Sequence, residues 1–107
     1  MDDIIILFKG GVRMQVRKRD GLKEEFDSSK IKMSISNTSI SANESLSQEE
    51  LNSIVNDVVN TIKSRFTGEI SNTKIREIVT EELKNRGFTT IATNYSNPGK
   101  FFKNFTL

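Results

Sequence analysis

Between Val16 and Ile31 the chain reads VRKRDGLKEEFDSSKI, and this stretch packs cations, acidic acceptors and hydroxyls capable of chemistry into sixteen residues. Lys18, Arg19 and Lys30 bring positive charge; Glu24, Glu25 and Asp27 bring acceptors; Ser28 and Ser29 bring hydroxyls, and Phe26 an aromatic face. Cations and acceptors set this close together suit an anionic ligand that also carries hydrogen-bonding groups. The oxygens of Asp27, Ser28 and Ser29 can cap a helix entered at Lys30–Ile31, where unpaired backbone N–H groups add to the attraction for anions. Charged residues at a hairpin tip also describe an ordinary solvated turn. Spacing alone puts that reading first.

What is missing bounds the chemistry further. The 107 residues contain no cysteine and no histidine, which removes thiolate zinc sites, disulfides, a cysteine nucleophile and the usual general base at neutral pH. The phosphate loop GxxxxGK[ST] is absent and no base-and-nucleophile pair stands out, so an enzyme is the weakest expectation. Sixteen basic and fourteen acidic side chains are interspersed and leave a formal charge of +2, too little to argue for nucleic acid. No apolar run approaches a membrane span, and Met1–Leu7 is too short and too acidic for a secretory signal. The expected location is the cytoplasm, and the expected organisation a single domain with one modest core.

The elements that must position these groups follow from periodicity. Asp3–Phe8 (DIIILF) reads as a buried strand closed by Gly10-Gly11. Val12, Met14 and Val16 alternate with Arg13, Gln15 and Arg17, a strand with one wet face. Asp20-Gly21 predicts a primed hairpin turn, with Lys23–Phe26 returning as the partner strand. A short first helix follows from Ser29, supported by Ile31 and Ile35, and Asn37–Ser45 reads as a polar loop. Ser47-Gln48-Glu49-Glu50 matches a capping box, and Leu51, Ile54, Val55, Val58, Val59, Ile62 and Phe66 follow at helical spacing. Thr67-Gly68-Glu69 breaks that helix. Ile70-Ser71-Asn72 opens a third, with Ile75, Ile78, Val79 and Leu83 as its stripe and Gly87 as its stop. Phe88–Tyr95 forms a weaker fourth helix with Ile91, Ala92 and Tyr95 inward, ended by Pro98-Gly99. The expectation is an α+β fold in which a small antiparallel sheet of about three strands caps a four-helix bundle.

Taken in order, the KRDG hairpin, the ExFDxxKI segment, the long amphipathic helix, the IS helix start and the helix closing on glycine resemble the ATP-cone domain, over roughly Met14 to Tyr95. The resemblance implies a nucleotide-binding regulatory domain like those of ribonucleotide reductases and of the repressor of the reductase genes. It implies ATP or dATP as the ligand, with magnesium as a companion, and no catalytic residues. Carried over residue by residue, it implies that Lys18, Arg19 and Lys30 meet phosphates, and that the segment Glu24, Glu25, Phe26, Asp27, Ser28, Ser29 and Lys30 wraps the nucleotide. Glu24 or Asp27 would accept from the adenine amino group or the ribose hydroxyls. Family polar positions at the start of the third helix fall on Asn72 or Thr73, and on Arg76.

The chain departs from the family after Tyr95, where the usual long basic helix is interrupted by Asn97-Pro98-Gly99. The expected division is therefore a cone domain over residues 1–96 and an aromatic, basic tail over 97–107. Phe101, Phe102 and Phe105 of that tail are candidates for contact with a partner protein or a second copy. Two other functions compete. One is nucleic-acid binding through Arg13, Arg17, Lys18 and Arg19, with Phe101 and Phe102 as stacking residues. The other is a degenerate cone that has kept the fold and lost the ligand.

Overall fold

The computed structural model describes residues 14–96; the expected first strand, the Pro98-Gly99 stop and the tail lie outside the described residues. The order of elements is β1 (Gln15–Arg17), β2 (Lys23–Glu25), α1 (Ser28–Ser41), α2 (Gln48–Arg65), β3 (Glu69–Ser71), α3 (Asn72–Asn85) and α4 (Thr89–Ser96). Among the described residues the fold is α+β, with four helices and a three-stranded sheet of order β2-β1-β3.

That sheet is mixed, which corrects the antiparallel expectation. β1 pairs antiparallel with β2 through Val16 opposite Glu24, and parallel with β3 through Val16 opposite Ile70. The third described strand is therefore Glu69–Ser71, a segment whose sequence reads as a helix break followed by a helix start. Three residues are too few for alternation to register. What makes them a strand is tertiary: Ile70 is 2 % exposed beside Val16, and Gln15 donates its N–H to the carbonyl of Gly68. Ser71 ends the strand and at once caps α3, accepting from the N–H of Lys74.

The hairpin also differs in detail. A primed two-residue turn needs positive φ at its first central residue, yet in this turn only Gly21 is left-handed, at φ +90°. Gly21 N–H donates to Lys18 O and Lys18 N–H to Leu22 O, a three-residue loop with glycine at its left-handed position. Asp20 turns its carboxylate onto the N–H of Leu22.

α1 runs five residues further than expected, into what reads as polar loop. Its buried stripe is Ile31, Ile35, Thr38 and Ser39. Thr38 and Ser39 can be buried because each hydroxyl donates to a carbonyl of the preceding turn, Ser34 O and Ser36 O respectively. Apolar Met33 and Ile40 face outward, which blurs the periodicity further. The chain leaves the helix through Asn43, at φ 58°. α2 and α3 follow their sequence patterns closely. In α2 the Ser47 hydroxyl accepts from Glu50 N–H while the Glu50 carboxylate accepts from Ser47 N–H, both at 3.0 Å. One core joins Ile35, Ile54, Val58, Ile62, Val79, Leu83 and Ile91, all fully buried, to Val16 and Ile70 of the sheet. Among the described residues no helix is long and apolar enough to cross a membrane.

Candidate functional site

The N-terminal ends of α1 and α3 and the C-terminal end of α4 meet beside the hairpin and enclose a cavity of about 290 Å³. Asp27 makes the first of these ends: its carboxylate accepts from the N–H and the hydroxyl of Ser29, at 3.0 and 2.7 Å, and so starts α1. The Ser29 hydroxyl, then the Ser29 N–H, hold the Asp27 carboxyl below its ordinary pKa, against a small desolvation effect; Lys30 adds to the lowering.

The cavity has an apolar floor and a charged rim. Val16, Ile31, Ile75 and Phe26 supply the floor; Lys18, Lys30 and Arg76 face Glu24, Glu25 and Asp27 around the rim. Glu24 is the organiser of the hairpin side. Its Oε1 lies 3.1 Å from Lys30 Nζ and 3.9 Å from Lys18 Nζ, so one carboxylate holds two cations across the turn from β2 into α1. All three side chains are a third or more exposed, so these pairs contribute little to stability and can be exchanged for a ligand's groups.

Across the cavity, Arg76 reaches from the first turns of α3 to the end of α4. Its guanidinium lies 5.5 Å from the centre of the Tyr95 ring, and its Nη1 donates to Tyr95 O at 3.3 Å. The Tyr95 hydroxyl meets Ser34 Oγ of α1 at 2.8 Å. Burial pushes the Tyr95 phenol above its ordinary pKa, opposed by the Ser34 bond and by the charge of Arg76. A second cavity of about 200 Å³ shares Lys30, Ser34, Arg76 and Tyr95 with the first and continues along α1 past Met33, Asn37 and Thr38.

Of the residues anticipated from sequence, Lys18, Glu24, Glu25, Phe26, Asp27, Lys30, Asn72 and Arg76 line the larger cavity, whereas Arg19, Ser28, Ser29 and Thr73 do not. Arg19 sits exposed in the turn, Ser28 is exposed in the first turn of α1, Ser29 serves the cap, and Thr73 is exposed one residue past Asn72. Ser34 and Tyr95 were not anticipated as lining residues. A signal for Ser34 existed in its spacing, one helical turn beyond Lys30 on the same face. Nothing local pointed to Tyr95, which arrives through the packing of α4.

A site with paired, exchangeable charges around an apolar floor can hold a flat, partly apolar ligand that also bears anionic and hydrogen-bonding groups. The ATP cone domain family model matches residues 14–101. No curated protein matches the chain. Domains of that family are nucleotide-binding regulatory modules that bind ATP or dATP, and are generally not catalytic. The family match takes in every described element, from the hairpin through α4, and the chain belongs to the ATP-cone family.

Proposed function

We propose that this chain is a regulatory domain that binds ATP or dATP in the larger cavity and thereby controls its own assembly or a partner. The observation that carries this reading is the convergence of three distant segments on one cavity. The hairpin with the start of α1, the start of α3 and the end of α4 bring three cations and three carboxylates around an apolar floor. In this reading the floor takes the adenine ring. Lys18, Lys30 and Arg76 take phosphate charge, and Glu24 or Asp27 accepts from the amino group or a ribose hydroxyl. Asn72, in the first turn of α3, offers an amide to the same ligand at a helix N-terminus, where the dipole favours negative charge. Magnesium would accompany the phosphates. The contact that the nucleotide controls is assigned to the segment 97–107, with Phe101, Phe102 and Phe105 as its apolar members.

The basic ribbon favours nucleic acid less than its sequence suggests. Arg17 is engaged by Glu69 of β3, and Lys23 reaches the same carboxylate at 3.0 Å.

The test is a thermal melt with Mg-ATP, Mg-dATP and Mg-GTP at two salt concentrations, followed by size analysis with each nucleotide. A ligand at a hundredfold its Kd stabilises a native state by about 2.7 kcal/mol. For a domain of this size that is a rise on the order of 10 °C. A rise selective for adenine nucleotides supports the proposal. No rise at millimolar ligand would mean a cone that has lost its nucleotide, and a steep salt-dependent response to oligonucleotides would favour the nucleic-acid reading.

A further inference from the structure

The three cations of the cavity are held in different ways. Lys18 and Lys30 both sit against the Glu24 carboxylate, a charged partner. Arg76, among the described residues, is held by the neutral carbonyl and the ring face of Tyr95. At 3.3 Å its bond to the carbonyl is longer than an ordinary N–H···O bond. A charge-assisted bond to an anion is about twice as strong as one to a neutral acceptor. Arg76 is therefore the cation that an anionic group entering the cavity engages at least cost.

What it would leave behind is the end of α4. Arg76 donates to Tyr95 O in the last described turn of α4, toward the end where a cation suits the helix dipole. Tyr95 has a second anchor that does not involve Arg76. Its hydroxyl meets Ser34 Oγ of α1 at 2.8 Å, and Ser34 Oγ also lies 2.9 Å from Ile31 O of the same helix. Tyr95 is thus pinned to α1 by its hydroxyl and to α3 through its carbonyl and ring.

We propose that Arg76 is a positioning residue that couples the cavity to the end of α4: an anionic group in the cavity draws the guanidinium from Tyr95, and the last turn of α4 loosens while the Tyr95 hydroxyl stays on Ser34. The inference rests on reading the cavity as a nucleotide site, and gives that site its regulation. Occupancy is felt in the last described turn of α4, next in sequence to residues 97–107.

Tyr95 is the single tyrosine of the chain, so ring-labelled tyrosine gives one set of NMR signals. These signals, and hydrogen exchange in the last turn of α4, are followed during titrations with Mg-ATP, sodium tripolyphosphate and adenosine, with binding measured independently by calorimetry. The expected result is that ATP and tripolyphosphate both shift the ring signals and speed exchange about fivefold, the effect of losing one net hydrogen bond. Adenosine does neither. Arg76→Lys, which keeps the charge but not the planar stack, starts with its ring signals displaced and responds by less than half. ATP binding with unmoved ring signals would overturn the coupling and leave the nucleotide reading intact. Tripolyphosphate shifting the ring while ATP fails to bind would do the reverse. A shift that persists unchanged in Arg76→Ala would come from the ligand touching the ring, and would also overturn the coupling.

Discussion

At the scale of the residue, the proposed nucleotide site would work by exchange of partners. In the proposed reading Glu24 balances Lys18 and Lys30 until a ligand brings its own charge, so replacing Lys30 would remove a ligand contact at the cost of only an exposed ion pair. Lys30→Ala is expected to weaken ATP binding by about tenfold and leave the melting temperature of the free protein nearly unchanged. Arg19→Ala, in the exposed turn, serves as its control and is expected to bind like the parent. Calorimetric titration of both decides it, and equal affinities would remove Lys30 from the site. Tyr95 allows a second test without ligand. Its phenol is held neutral by burial, so absorbance titration of this single tyrosine is expected to give a midpoint above the ordinary value of 10.0. The sign for stability follows: above about pH 10 the unfolded chain loses this proton first, so stability falls as pH rises further. A midpoint at or below 10 would mean that the ring is not buried against Ser34. The polar members of the hairpin and α1 were legible because they are contiguous and of recognisable types. Tyr95 and Ser34 were not, because their place in the cavity depends on how α4 lies across α1 and α3, which no local pattern encodes.

At the scale of the element, the caps and turns do most of the specifying, and their legibility tracks their length. α2 was readable from Ser47 to Phe66 because its cap, stripe and stop agree. Ser47→Ala removes one half of the capping box and is expected to cost about 1 kcal/mol, measured by urea unfolding. An unchanged midpoint would show that Glu50 and solvent satisfy the helix start alone. β3 was illegible for the opposite reason: three residues carry no period, and the parallel partner lies more than fifty positions away. Its entry depends on Gly68, at φ +81°, where an added Cβ would meet no neighbouring atom. Gly68→Ala therefore isolates backbone strain, and is expected to destabilise by about 1 kcal/mol through the left-handed conformation alone. A neutral result would mean that the turn into β3 rearranges freely. The length of α1 was misjudged because burial of Thr38 and Ser39 overrides their loop-forming composition once their hydroxyls are satisfied inside the helix.

At the scale of the whole molecule, the site cannot be separated from the core that holds it. Val16, Ile31 and Ile75 belong both to the floor of the cavity and to the buried cluster of the described residues. That cluster runs on through Leu83, fully buried in α3, to Ile91, Ala92 and Tyr95 of α4. Arg86 adds a tie at the far end, pairing with Glu82 of its own helix and with Asp57 of α2. A short helix such as α4 has little stability of its own and should persist only while this packing persists. The single tyrosine makes that measurable, because its near-ultraviolet signal reports on α4 whereas far-ultraviolet circular dichroism is dominated by α1, α2 and α3. The two unfolding curves are expected to coincide, as one cooperative core requires. Leu83→Ala should move both together by about 2–5 kcal/mol, a large part of the 5–15 kcal/mol typical of a domain. If the tyrosine signal instead melted first, α4 would be a separate and weaker unit. The proposed coupling would then act through undocking of the whole helix rather than through its last turn.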